Sequence, residues 1–199
     1  WSPTATGTIT LNAEDASIDD GDGNDEYFRN SGIVVKGDYV YAVNGVHPNP
    51  QLTCCYPKSL VKIALSEVDQ ASATVEQKWP FTASTLGHDV DMEGLTCGPD
   101  KCASHIYIGD EYNYIYKHNL GQADSATAVE VEYDLNSIVG AIPDDKGIES
   151  LTYASSTGYF YAGIQETSVV HFIELQSIET TDAWGTSMSE CTATEDYPK

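Results

Sequence analysis

The densest run of oxygen donors in this chain is the segment 17–26, Ser-Ile-Asp-Asp-Gly-Asp-Gly-Asn-Asp-Glu. Within it Asp20, Asp22 and Asn24 fall on every second position, the spacing at which a loop turns side-chain oxygens toward a calcium ion. An EF-hand is excluded, because its sixth position needs Gly and holds Asp25, and its twelfth holds Ser31 instead of Glu. The expectation is a loose Ca²⁺ loop. Other reactive residues form no comparable pattern. The five histidines, His47, His88, His105, His118 and His171, show no metal-ligand spacing and are expected to pack or to sit at the surface. No Gly-x-Ser-x-Gly elbow and no P-loop occur, so acyl transfer and nucleotide hydrolysis have no support.

Of the five cysteines, Cys97 and Cys102 flank Gly-Pro-Asp-Lys, which reads as a turn between two strand ends that a disulfide could staple. Cys191 is expected to pair with Cys54 or Cys55, on no better ground than that these remain. Five is odd, so one thiol stays free or bonds another chain. The 199 residues hold 9 Lys or Arg against 31 Asp or Glu, a net charge of −22. Nucleic acid needs clustered basic residues, and anionic lipid attracts them too, so neither is an expected partner. No apolar run approaches the length of a membrane-spanning helix. The expected partners are divalent cations, other protein chains or copies of the chain itself. Acidity, scarce Lys and an apparent staple together point to a secreted, extracellular protein.

What must position such residues is a set of strands. Short alternating stretches rich in Tyr, Val, Ile and Phe recur at 32–43, 60–65, 104–109, 114–118, 128–133, 158–163 and 168–175, separated by turn residues. The segment 66–75 reads as a polar loop. An internal repeat organises the strands. Met92-Glu-Gly-Leu-Thr96 is followed by Ile106-Tyr-Ile-Gly-Asp-Glu111 and a further strand. Ile148-Glu-Ser-Leu-Thr152 is followed by Phe160-Tyr-Ala-Gly-Ile-Gln165 and a further strand. A fainter copy precedes both. Repeats of three or four strands at this period are the mark of propeller blades. The expected fold is therefore all-β: one β-propeller domain over residues 1–199, small and four-bladed or incomplete, with blade repeats near 32–80, 88–135 and 145–180. A strand at 7–11 could complete a fourth blade. Glu93 and Glu149 occupy the same place in the repeat, so a propeller axis would bring them together. Converging carboxylates repel unless a cation or a proton sits between them.

The stretch Asp91-Met-Glu-Gly-Leu-Thr96 with Ile106-Tyr-Ile-Gly-Asp-Glu111 resembles the β-propeller phytases and the related esterase-like and SdiA-regulated propellers. The unit at 147–165 resembles the blade that follows, and the likeness covers roughly residues 88–175. In that family, carboxylates on the innermost strands hold calcium ions that in turn hold phosphate. The resemblance implies Glu93 and Glu111 as calcium ligands of one blade, Glu149 and Gln165 of the next, with Asp91 or Asp145 adding oxygens. It does not carry the phosphate grip across. The family's Asp-Asp-Pro-Ala stretch is missing, Arg29 is the one arginine, and the eight lysines are scattered. The function expected is a calcium-binding structural or adhesive module of an extracellular assembly, with no catalytic residue assigned. The alternative is a calcium-dependent phosphoesterase of phytase-like type.

Overall fold

The computed structural model describes residues 30–44, 58–67, 75–81, 86–88, 90–123, 125–136, 146–165, 169–173 and 188–191. They form twelve strands in three antiparallel sheets of four. Sheet I runs in the order β1 (Asn30–Lys36), β2 (Tyr39–Asn44), β3 (Lys58–Ala64), β4 (Val75–Phe81). Sheet II is β5 (Met92–Cys97), β6 (His105–Asp110), β7 (Tyr114–Asn119), β8 (Val129–Asp134). Sheet III is β9 (Ile148–Ala154), β10 (Tyr159–Ile164), β11 (Val169–Ile173), β12 (Met188–Cys191). Each is a meander whose strands pair in chain order. The first strands of successive sheets, β1, β5 and β9, lie side by side. That is the architecture of propeller blades, and the fold is an all-β propeller whose described part is three blades.

Helix is minimal among the described residues: a 3₁₀ turn at Leu65–Glu67 and a single-turn helix α1 (Ser125–Ala128). None is long and apolar enough to cross a membrane. The 3₁₀ turn and the start of β4 replace parts of the polar loop expected at 66–75. Strand β4 carries Pro80, which an edge strand tolerates because that strand has no partner on its outer side. The strand expected at 7–11 lies outside the described residues, as do Cys54 and Cys55.

Two apolar layers join the blades. Tyr41, Leu60, Trp79 and Phe81 of blade I bury against Met92, Ile106, Ile108 and Tyr116 of blade II. Tyr107, Ile115 and Tyr133 of blade II bury against Leu151, Phe160 and Ala162 of blade III. The expected Cys97–Cys102 disulfide is present, with Cα atoms 4.7 Å apart. Asp100 holds the loop that it closes, its carboxylate accepting from the backbone N–H groups of Cys102 (3.0 Å), Ser104 (3.1 Å) and His105 (3.0 Å).

The innermost strands approach so closely that side chains are excluded. A Cβ added at Gly32 would sit 2.7 Å from the Glu93 carbonyl oxygen, and one at Gly94 2.6 Å from the Leu151 nitrogen. Both neighbours are backbone, which cannot swing aside. Gly37, in the turn between β1 and β2, is different: its φ of 56° favours glycine, yet nothing lies within 4 Å of its Cβ position. Gly94→Ala is therefore expected to destabilise by about 2–3 kcal/mol, the upper end for forcing atoms into a packed interior. Gly37→Ala should cost about 1 kcal/mol, the penalty for a left-handed Cβ. Urea unfolding of both variants measures the difference, and equal costs would contradict the close approach.

Candidate functional site

The carboxylates converge where blades II and III meet, at the end of β6 and the start of β5 and β9. The turn after β6 is short: Asp110 pairs with Tyr114 across it, with Asn113 at φ 66°. Asp110 is fully buried and organises this end of blade II. One carboxylate oxygen accepts from the Asp91 N–H at 2.8 Å and the other from the Tyr112 N–H at 2.7 Å. The Glu111 N–H donates to the Asp91 carbonyl at 2.9 Å, tying the two chain segments a second time. Burial pushes the Asp110 carboxyl up to about 7, against the opposing pull of those two N–H groups, Lys58 and His88.

Glu111 follows directly and is 4% exposed. Its side chain is hydrogen-bonded to that of Glu149 in blade III. Burial, that bond and the negative charges of Asp91, Glu149 and Glu93 push the Glu111 carboxyl up to about 8. At neutral pH the Glu111 carboxyl therefore keeps its proton, the cheapest way for it to sit among crowded carboxylates away from water. Glu111 Oε2 is nonetheless buried with no hydrogen-bond partner. The blade junction leaves no slack beneath, since a Cβ at Gly147 would overlap the Glu111 carbonyl oxygen.

Of the expected ligands, Asp91, Glu93 and Glu149 are thus each in electrostatic reach of Glu111. Gln165 enters through its backbone, its N–H donating to the Gly147 carbonyl at 2.9 Å, and its side chain is exposed. Asp20, Asp22, Asn24 and Asp145 lie outside the described residues. Among the described residues, no group of three or more His, Cys, Asp or Glu is arranged to hold a metal ion. Two participants were not anticipated. Lys58, at the start of β3 in blade I, places Nζ 3.9 Å from Asp91 Oδ1, so the cluster does have a cation beside it. Asp110 is the second. Its signal in the sequence is the Gly109-Asp110-Glu111 stretch, in which it directly precedes Glu111.

A second polar group ties the disulfide loop to the outer strand of blade II. His105 Nδ1 lies 3.1 Å from Asp100 Oδ2 and Nε2 lies 2.8 Å from Glu130 Oε2, while Lys117 Nζ is 3.5 Å from the same Glu130 oxygen. Burial alone would raise Asp100, but hydrogen bonds from Ser104 and His105 hold it below the usual carboxylate range. Glu130 is lowered chiefly by the Asn119 amide, with His105 helping. His118 is a core residue: fully buried, edge-on to Trp79 with ring centroids 5.2 Å apart, and kept neutral by burial, which pushes it down to about 4.

No family model matches the chain, and no curated protein matches it. Solved structures share its outline. The Cps50 (Swd1) β-propeller domain from Myceliophteria thermophila matches at TM-score 0.47 and 8% identity, over 81% of this chain and 38% of that one. Glutaminyl cyclase from Myxococcus xanthus matches at TM-score 0.47 and 8% identity, over 83% and 58%. A protein of unknown function from Bacteroides thetaiotaomicron matches at TM-score 0.44 and 14% identity, over 84% and 46%. The chain spans less than two thirds of each. These likenesses carry no argument about activity.

The raised carboxyls make a signed prediction. Asp110 and Glu111 have folded pKa values above their ordinary ones. Their contribution to stability is therefore fully present below about pH 4 and is lost as pH rises through 7 and 8. Asp100 and Glu130 are shifted down, so theirs is lost as pH falls through the acid range. In metal-free buffer the melting temperature should fall from pH 5.5 to pH 9, with a slope of up to about 1.4 kcal/mol per pH unit for each raised group. Glu111→Gln keeps a hydrogen-bonding side chain beside Glu149 but cannot ionise, and it should flatten the alkaline limb. An unchanged slope in that variant would show that Glu111 does not carry the shift.

Proposed function

We propose that this protein is a secreted, acidic β-propeller that works by binding other protein chains, with Ca²⁺ held by the carboxylates at the blade II–blade III junction. The observation that carries the calcium part is the orphaned Glu111 Oε2. It is a buried carboxylate oxygen without a partner, beside Glu149, Glu93 and Asp91. Calcium takes six to eight oxygens, carboxylates prominent among them, and would replace the Glu111 proton as the charge that lets the cluster coexist. The Cys97–Cys102 disulfide supports an oxidising, extracellular setting. Binding is favoured over turnover by the charge distribution. Nine basic residues against thirty-one acidic ones leave little with which to grip an anionic substrate.

A phosphoesterase reading keeps one specific support, Lys58 beside Asp91, a single basic group within reach of a calcium-bound phosphate. Release of phosphate from phytate or a phosphomonoester, abolished by EDTA and by Lys58→Met, would move the assignment to that reading.

Because the ion must displace a proton from Glu111, calcium should stabilise more at pH 8.5 than at pH 5.5. At 100 times its dissociation constant a ligand adds about 2.7 kcal/mol, a rise of several degrees in melting temperature for a chain of this size. Differential scanning calorimetry in EDTA and in millimolar Ca²⁺ at the two pH values measures it. Glu149→Gln should remove most of the alkaline shift. Identical melting temperatures in EDTA and Ca²⁺ at pH 8.5 would end the calcium proposal.

A further inference from the structure

The loop that joins β5 to β6 is closed by the Cys97–Cys102 disulfide and touches both blade junctions. Lys36 Nζ of blade I donates to the Ala103 carbonyl at 3.1 Å, and Cys102 is buried in the apolar layer between blades I and II. On the other side Gly98 seats on the Tyr107 ring, which a Cβ there would overlap, and Tyr107 belongs to the layer between blades II and III. Lys101 and Cys102 both have left-handed backbones, with φ 55° and 57°, a conformation that residues with a Cβ adopt only at a cost. Such a loop has to be held.

His105 holds it, from a position between two carboxylates. Nδ1 faces Asp100 Oδ2 in the loop at 3.1 Å, and Nε2 faces Glu130 Oε2 on β8 at 2.8 Å. An ionised carboxylate can only accept, so both contacts are hydrogen bonds together only when both ring nitrogens carry protons. The two carboxyls are held below their usual range and stay ionised on either side of neutrality. Lys117 on β7 lies 3.5 Å from the same Glu130 oxygen and the Asn119 amide donates to the other at 2.6 Å, so Glu130 keeps its place beside a neutral ring. Among the described residues, His105 is the one basic side chain within ion-pair distance of Asp100. The remaining titratable neighbour, His118 of β7, is kept neutral by burial. Ser104 changes partner with the proton: its Oγ lies 3.0 Å from Asp100 Oδ2 and 2.8 Å from His105 Nδ1. Beside an imidazolium the hydroxyl donates to Asp100. Beside a neutral ring it donates to the bare Nδ1, while Nε2–H keeps Glu130. Loss of one proton thus takes two donors from Asp100, the Nδ1–H and the Ser104 O–H, and leaves its three backbone N–H groups.

We infer that His105 is a proton-operated clasp on the disulfide loop. Charged, it ties the loop to the outer strand of blade II; neutral, it lets the loop go and opens the Cys97–Cys102 bond to reductants. Imidazole is the side chain whose ordinary charge change lies nearest neutral pH, and this one is 18% exposed, so protons reach it from solvent without unfolding. The inference does not need the calcium site.

Reduction by tris(2-carboxyethyl)phosphine tests it. The S–S bond takes up two electrons and two protons to give two thiols, and the phosphine becomes its oxide with oxygen from water. The rate for the full chain is read by alkylation and peptide mapping of Cys97 and Cys102. Dividing the rate for the cyclic peptide 97–102 by it gives a protection factor from which the reagent's own pH dependence cancels. Protection should fall roughly fivefold from pH 5.5 to pH 8, the weight of one lost hydrogen bond. His105→Gln cannot charge and should show the low value at both. It retains Asp110 and Glu111, so it separates the clasp from any general alkaline loosening. Glu130→Gln should lose most of the protection at pH 5.5. If His105→Gln fails to fold, ¹⁵N spectra of the wild-type ring decide, with both nitrogens protonated at pH 5.5 and Nδ1 bare at pH 8. Equal wild-type protection at the two pH values would overturn the inference. So would a pH dependence that His105→Gln leaves intact, full protection of Glu130→Gln at pH 5.5, or a ring already neutral there.

Discussion

The backbone of β5 can rest on that of β9 because residue 94 has no side chain, and β1 rests on β5 through the same absence at residue 32. This backbone-on-backbone seating of the innermost strands sets the spacing of everything outside it. With the strands this close, the sheet faces behind them meet at side-chain distance, and Trp79, Tyr116, Phe160 and their neighbours are sealed from water. The apolar layers stabilise the junctions at roughly 25 cal/mol per Å² of apolar surface buried. The glycines decide where that burial can occur.

The same seating crowds charge. Glu93 precedes Gly94 and Glu149 precedes Ser150, so strands packed at these positions bring their flanking carboxylates to one end of the junction. Glu111 is added because its carbonyl is the floor against which Gly147 enters blade III. Burying several acids together is costly unless the charge is reduced. The fold reduces it in two ways: a proton kept on Glu111, and Lys58 reaching across from blade I to Asp91. Asp110 follows another logic. It is buried as a hydrogen-bond acceptor that replaces missing sheet bonds at the end of β5 and β6, and the raised pKa is the consequence of that position.

How much of this was legible in the sequence follows from what kind of interaction each part rests on. Tyr with Ile in 104–109, and Tyr with Phe in 158–163, announce strands because the pattern is local, and the Glu-Gly-Leu and Glu-Ser-Leu repeat announces blades because it recurs. The disulfide was legible for the same reason, since Cys97 and Cys102 are five residues apart. Strand β4 was not, because Glu76, Gln77, Lys78 and Pro80 mask its alternation, and only pairing with β3 buries Trp79 and Phe81. Lys58 was invisible as a member of the site. It lies 33 residues before Asp91, and only the stacking of blade I on blade II joins them.

The third copy of the repeat departs from the first two at one informative place. Where Gly32 and Gly94 leave room for the next strand, blade III has Ser150, whose hydroxyl lies over Gly163, 2.6 Å from where a Cβ there would stand. A side chain in that position holds any following strand farther off than β9 is held from β5. The apolar layer behind such a junction would be thinner, with Thr152 and Val170 where blade I has Val34 and Leu60. Internal junctions need the tightest fit, because they fold once and stay together. The replacement of glycine by serine at this single step therefore leaves the outer face of blade III less closely fitted to a following strand than the two junctions inside the chain.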